Sequence, residues 1–401
     1  MSVTIKEINL GPLLKYPGSK EKELIHILPN IPENAEHYYE PFVGAGAVYF
    51  ALNYDKAFIN DKSTELMEIY RLAKSQDQRF FYWLDMINSN WVCLSELCDD
   101  DAELLEKIYR DYCKDRIKDY EIGDIIIEKV SEATENWRGL FERKSNPCIV
   151  HFLAELADSM TSKMIRLREI EAEQGLLLRE ELMQNLECAV KNAYYMHLRY
   201  LYNYHKKEHI EPEMVFAIFF FLREYCYAAM FRYNKSGKFN VPYGGLTYNR
   251  KQFDKKIEHL RHGKVTELLD KTEIYCEDFM DFLDKTDPKE DDFIFLDPPY
   301  DTEFRSYDNN EFSRKDHIRL SKYLIKKCKA KFMLVIKDTE FIRELYPNAK
   351  KTANGERLYI SCFDKKYIHS YQDRKQRGTQ HLLITNYQPK TWVQQTLDLG
   401  M

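Results

Sequence analysis

The 401-residue chain contains no run of about 18 apolar residues, the length a bilayer-spanning helix needs. Its opening, MSVTIKEINLGPLLKYPGSK, lacks the basic-then-apolar layout of a signal peptide. No Cys-x-x-Cys pair occurs among the nine scattered cysteines. An odd count without such a leader argues for reduced thiols in a cytoplasm, and against a zinc site or a disulfide framework. Internal repeats and low-complexity tracts are also absent. What remains is the composition of a soluble globular protein: 44% hydrophobic residues, enough for a sizeable core, and 31% charged ones. The length allows two or three domains.

A strongly basic balance is missing too. The net charge is -6. That average hides an asymmetry: 14 acidic against 6 basic residues from Glu96 to Glu135, and 18 basic against 7 acidic from Ser313 to Gln380. Either run suits a solvated face. A nucleic-acid enzyme needs a local positive surface and not a basic total, so net charge does not decide the question.

Three zones follow along the chain. Residues 1–75 read as strand, glycine turn, helix and strand: EHYYEPF, then VGAGAVYFALN, then KAFIND. A further helix is predicted after Asp61, capped by Ser63 or Asp61. This β-α-β rhythm implies a parallel sheet. Residues 76–215 have few glycines, dense charge and apolar positions at helical spacing, and MIRLREIEAEQGLLLREELMQNLECAVKNAYYMHLRYLYNYHKK predicts one or two long helices. This zone reads as a helical insertion holding a target-recognition or accessory region. Residues 216–401 return to alternation. TEIYCED, DDFIFLD, KFMLVIK and HLLITNY are predicted strands, with helices such as SRKDHIRLSKYLIKKCK between them. Strands ending in acidic or polar residues put those side chains at the carboxyl edge of the sheet, where open α/β folds bind ligands.

Asp297-Pro298-Pro299-Tyr300, after the apolar strand Phe293–Leu296, is the strongest chemical feature. The amino nitrogen of a base is a poor nucleophile because its lone pair is delocalised into the ring. A carboxylate and a backbone carbonyl accepting its two N–H bonds draw that lone pair towards a tetrahedral nitrogen, ready for in-line attack on a sulfonium methyl. Two prolines stiffen the turn and leave nearby carbonyls without local N–H partners. The following aromatic ring offers a stacking face for a base taken out of its duplex. A bare tetrapeptide of this kind also suits a plain strand-ending turn.

Three further motifs add to it. Gly44 and Gly46, in Glu40-Pro41-Phe42-Val43-Gly44-Ala45-Gly46, allow close approach of a cofactor to the backbone. Position 49 is Tyr where a dinucleotide fingerprint has its third glycine, which disfavours a nicotinamide or flavin. Asp61 suits ribose hydroxyls or a helix cap. Lys15-Tyr16-Pro17-Gly18-Ser19-Lys20 places an aromatic, a turn and two lysines together.

The order KYPGSK, EPFVGAG, IND, FRYNKSGKFNVPYG, EDF, DPPY and RGTQHLLITNY resembles the DNA adenine methylase type, the D12 class of N6-adenine DNA methyltransferases in the alpha motif order. The resemblance covers residues 10–72 and 216–388. It implies a Rossmann-like seven-stranded methyltransferase sheet, largely parallel with one antiparallel strand, spanning 1–75 and 216–401, with 76–215 as the helical insertion. It implies S-adenosyl-L-methionine as methyl donor and no metal. Tyr16, Lys20, Glu40, Phe42, Gly44, Gly46, Asp61, Asp278, Phe279 and Asp297 would bind that cofactor. Asp297, Pro298, Pro299 and Tyr300 would be catalytic. Arg232, Tyr233, Asn234, Lys238 and Asn240 would touch double-stranded DNA, beside Val241 and Pro242. The setting implied is a bacterial or phage cytoplasm, with a cognate restriction endonuclease or another defence-system subunit as a possible partner. The chain departs from the family at His381, where the closing motif usually has Glu. The stretch between Asp61 and Asn240 is also long for the family, so no target sequence is carried over. N4-methylation of cytosine, amino methylation of RNA and a DNA-binding relative without catalysis are the competing readings.

Overall fold

The computed structural model describes residues 6–7, 10–16, 18–132, 148–300, 312–365 and 379–390. Pro17 of the first motif and Arg377-Gly378 of the last lie outside them. The chain forms two compact units, Met1–Ser75 with Leu260–Met401, and Gln76–His259. No described helix is long and apolar enough to cross a membrane. The nine cysteines form no disulfide among the described residues.

The first unit is built on a sheet. Strands β1 (Lys6–Glu7) and β3 (Leu52–Asn53) make a short antiparallel pair. The main sheet holds β2 (Tyr38–Glu40), β4 (Ala57–Asn60), β5 (Thr272–Tyr275), β6 (Phe293–Leu296), β7 (Lys331–Lys337), β8 (Tyr359–Lys365) and β9 (Thr379–Thr385). Their order is β5-β4-β2-β6-β7-β9-β8. β9 is antiparallel to both neighbours, and every other pair is parallel. This is the seven-stranded, Rossmann-like arrangement expected. Phe293–Leu296 and Phe332–Ile336 are unbroken apolar runs and are buried throughout, as strands covered on both faces must be. Ile294, Leu296, Leu334, Ile336, Leu382 and Ile384 share one core with Leu320 and Leu324 of the helix Arg314–Lys326.

Topology places the site. From β2 the chain winds outward to β4 and later β5; from β6 it winds the other way to β7. The direction reverses between the paired strands β2 and β6, and open α/β sheets bind their ligands in the crevice at such a reversal, beyond the strands' carboxyl ends.

One local expectation fails. VGAGAVYFALN does not feed a helix. It makes a single 3-10 turn, Tyr49–Ala51, and then enters β3. The Phe50 carbonyl accepts the Leu10 N–H at 3.0 Å, and β1 pairs with Leu52 and Asn53. Tertiary partners thus take the backbone groups a helix would have used. The helix Thr64–Ser75 forms as expected, with Ser63 as its cap: Ser63 Oγ accepts the Leu66 N–H at 3.4 Å.

The second unit is helical, with Gln78–Asp100, Ala102–Cys113, Asp119–Glu132, Ile149–Gln174, Arg179–Tyr204 and Pro212–Tyr225 as its main helices. Asp77 caps the first by accepting the Phe80 N–H at 2.8 Å. The long helical stretch is two helices, ended between them by Gly175 at φ 93°. Residues 216–259, assigned from sequence to the sheet domain, lie in this unit instead. The reason is burial. Pro212–Tyr225 is mostly apolar, with Met214, Val215 and every residue from Ala217 to Tyr225 buried, so it needs packing on all sides. Trp91 supplies part of that packing, with ring centroids 5.1 Å from Phe221 and 4.6 Å from Tyr225.

Candidate active site

Asp297 follows β6 directly at the crevice. Its Oδ2 lies 2.5 Å from Nζ of Lys20, which is only 3% exposed. The same ammonium donates to the Tyr300 hydroxyl at 2.9 Å and to the Gly18 carbonyl at 3.1 Å. Nε2 of His381, on β9, lies 3.1 Å from that hydroxyl. One buried cation therefore joins the first motif to both ends of the Asp-Pro-Pro-Tyr segment. From sequence, Lys20 and Asp297 are separate cofactor ligands; the ion pair between them spans 277 positions, which no spacing rule reveals.

The glycine turn after β2 is held from beneath. Gly44 and Gly46 have φ of 51° and 74°. The Gly44 N–H donates to Asp61 Oδ2 at 3.1 Å, and its carbonyl accepts the Tyr70 hydroxyl at 3.0 Å. A Cβ on Gly46 would lie 2.6 Å from that hydroxyl and 2.8 Å from the Phe50 ring. A Cβ on Gly44 would meet the Tyr16 ring at 3.5 Å, so Tyr16 covers the turn. Asp61 Oδ1 also accepts the Ser63 N–H at 2.9 Å. Glu40 is buried and accepts the Tyr38 hydroxyl at 2.6 Å. Burial pushes its carboxyl well above the ordinary range; Asp297 and Asp61 add to the rise, while bonds from Tyr38 and the Tyr49 backbone oppose it.

Asn60, which sequence reasoning passed over, ties three strand ends together. Its amide donates to the carbonyls of Pro41 and Glu277, both at 3.1 Å, and accepts the Glu277 N–H at 2.9 Å. Its signal was a polar residue closing an otherwise apolar strand.

Beside the turn stands an aromatic cluster. Phe42, Phe279 and Phe312 have ring centroids 5.3 to 5.4 Å apart, and Phe312 was not foreseen. Asp278 caps the helix Phe279–Thr286 by accepting the Met280 N–H at 2.9 Å. Arg319 grips the same carboxylate at 2.7 and 3.3 Å.

In the helical unit, residues Phe231–Asn240 form a hairpin. Tyr233 bridges Phe239. Asn234 Oδ1 accepts from the Ser236 and Lys238 N–H groups, each at 3.0 Å, and Gly237 turns at φ 72°. The helix Arg179–Tyr204 clamps this hairpin. Asn203 donates to the Phe239 carbonyl at 2.9 Å and accepts its N–H at 2.8 Å, while the Tyr202 and Tyr233 hydroxyls meet at 2.9 Å. Arg232 and Asn234 are exposed; Asn240 accepts from Arg232 Nε at 3.3 Å. Lys238 folds back, its ammonium 3.9 Å over the Tyr204 ring and bonded to that residue's hydroxyl.

The family model for D12 class N6 adenine-specific DNA methyltransferases matches residues 16–90 and 159–359. The chain belongs to that family. Site-specific methylation of adenine in DNA is the activity the family carries. The Type II methyltransferase M.MjaIII of Methanocaldococcus jannaschii is 26% identical over 399 residues, which is 95% of this chain and 100% of that protein. The Type II methyltransferase M.CviBI of Paramecium bursaria Chlorella virus NC1A is 37% identical over 173 residues, covering 42% of this chain and 60% of its own. The DNA adenine methylase of Haemophilus influenzae is 30% identical over 152 residues, 35% of this chain and 49% of that one. Within the D12 match, residues 91–158 are bypassed, so the excess length falls in the helical unit.

Proposed function

We propose that the β2/β6 crevice of this D12-class enzyme binds S-adenosyl-L-methionine and that Asp297 and Tyr300 receive a flipped-out adenine beside it. The observation that carries the reading is the convergence of Glu40, Asp61, Asp278 and Asp297 beyond four strand ends, next to a glycine turn that has no room for a side chain at Gly46. A cofactor with a sulfonium, an ammonium, ribose hydroxyls and an adenine ring asks for this set: carboxylates, a turn without side chains and aromatic rings. Tyr16 and Lys20 would border it, Asp61 would take ribose hydroxyls, and Phe42 and Phe279 would flank the adenine. When bound, the cofactor supplies an electrophilic methyl group.

The chain's own residues do the rest. Asp297 and a carbonyl of its Pro298-Pro299 turn accept the two N6 hydrogens of the target and redirect the nitrogen lone pair. Its carboxylate now bonds Lys20, so an arriving amine must share or replace that bond. Tyr300 stacks on the extruded base, whose unstacking costs a few kcal/mol. Holding acceptor and donor in line converts an encounter into a positioned reaction. Arg232, Tyr233, Asn234, Lys238 and Asn240 contact the duplex from the hairpin, and the helical unit around them widens that contact. A cognate endonuclease or other defence-system subunit is the partner that a restriction-modification role would require. Sequencing genomic DNA for modified adenines with and without the gene tests the proposal: a short motif whose methylation depends on the gene supports it, and identical methylation in both strains overturns it.

A further inference from the structure

His381 is fully buried on β9, in register with Lys337 of β7 and Phe363 of β8. It stands where the family's closing motif usually carries Glu. Its Nε2 lies 3.1 Å from the Tyr300 hydroxyl, with ring centroids 5.4 Å apart. On its other flank the imidazole stacks with Phe363 at 5.8 Å and 23°, and Phe363 stacks with His26 at 4.8 Å and 25°. The imidazole is therefore fixed by packing, and it aims a nitrogen at the aromatic ring of the Asp-Pro-Pro-Tyr segment.

A phenolic hydroxyl has one donor and two acceptor sites, and an ammonium can only donate. Lys20 donates to the hydroxyl at 2.9 Å, which leaves that oxygen one acceptor site and its own proton for the imidazole nitrogen. Either neutral tautomer of His381 completes the bond, with Nε2 accepting the O–H or Nε2–H donating to the oxygen. We propose that His381 is a positioning residue: it hydrogen-bonds the Tyr300 hydroxyl and, with Lys20, anchors the far end of the ring on which the target adenine stacks. This rests on the stacking role given to Tyr300 above. Swinging the ring about its first side-chain torsion would break both bonds, so the stacking face is ready before the base arrives, and the ordering cost is met during folding.

The test uses the full chain, S-adenosyl-L-methionine and a duplex carrying the methylated motif, with a second duplex bearing 2-aminopurine at the target adenine. His381→Phe keeps the stack on Phe363 and removes the hydrogen bond. Its single-turnover rate should fall about tenfold, the size one hydrogen bond sets, with the 2-aminopurine signal reduced and cofactor affinity unchanged. His381→Gln, which restores a hydrogen-bonding group, should recover most of the rate. Tyr300→Phe removes the same bond from the other side, so it must also slow transfer, and His381→Phe should add nothing in that background. A His381→Phe enzyme with wild-type rate and signal overturns the proposal. So does equal damage in the Phe and Gln variants with full additivity to Tyr300→Phe, or a Tyr300→Phe enzyme at full speed. Failure of the wild-type protein itself to methylate adenine would instead remove the reading on which the proposal rests.

Discussion

The two units of the molecule hold their candidate functional residues by different means. In the sheet unit, strand ends fix Glu40, Asp61 and Asp297, and the glycine turn is bound through its own backbone to Asp61 and Tyr70. The chemistry follows the topology: any sequence that closes this sheet brings these groups to one edge. In the helical unit, the hairpin Phe231–Asn240 is carried on side chains of two helices, Asn203 and Tyr202 of one and Phe219 and Arg223 of the other. Reaction chemistry thus rests on the fold, while the candidate DNA-contacting loop rests on a few side-chain anchors that can change without disturbing the sheet.

That contrast can be broken at several points. Asp297→Ala should lower methyl transfer by about 10²–10³-fold, the range seen when a group acting chiefly in the transition state is lost. A labelled-methyl assay reads this, and near-normal turnover would refute the acceptor role. Gly46→Ala should destabilise by about 1–3 kcal/mol, because φ is 74° and the new Cβ meets Tyr70 and Phe50. Thermal denaturation and calorimetry with S-adenosyl-L-methionine should show both a lower Tm and weaker binding; an unchanged Tm would contradict the packing described.

Anchors in the helical unit should behave differently. Asn203→Ala leaves the Phe239 N–H and carbonyl without their clamp, a loss of about 1–3 kcal/mol. It should raise the DNA KM and leave cofactor affinity intact; equal damage to both would erase the distinction between the units. Arg232→Ala should be milder, weakening DNA binding a few-fold and reducing the salt slope by about one phosphate contact. Glu40 gives the smallest effect. Its folded pKa is raised, so the folded state keeps a proton that the unfolded chain loses first. Stability should then fall as pH rises above the ordinary glutamate range towards the folded value. Glu40→Gln, which cannot ionise, should flatten that decline in denaturant midpoints measured at mildly acidic and mildly alkaline pH.

Much of the sheet unit was legible in the sequence because its signals are local. Phe293–Leu296 runs into Asp297, Ala57–Asn60 into Asp61, and the short β-type stretches KFMLVIK and HLLITNY stand out by their apolar centres. What escaped was tertiary. Lys20 finds Asp297, and Asn60 binds Glu277, across more than two hundred residues, with no spacing rule to betray them. Phe312 completes an aromatic cluster from a position with no motif around it. The helix expected after Gly46 gave way to a 3-10 turn because Leu10 and β1 claim its backbone. Residues 216–259 read as a return to the sheet domain because an apolar helix and a loop look alike in either setting; only the packing of Phe221 and Tyr225 on Trp91 assigns them.

The most direct test of the central claim is analysis of modified bases in DNA incubated with the purified protein and S-adenosyl-L-methionine. N6-methyladenine at a defined motif, lost with Asp297→Ala, is the expected result. A product consisting only of N4-methylcytosine, or methylated DNA formed equally well without the Asp297 carboxylate, would contradict it.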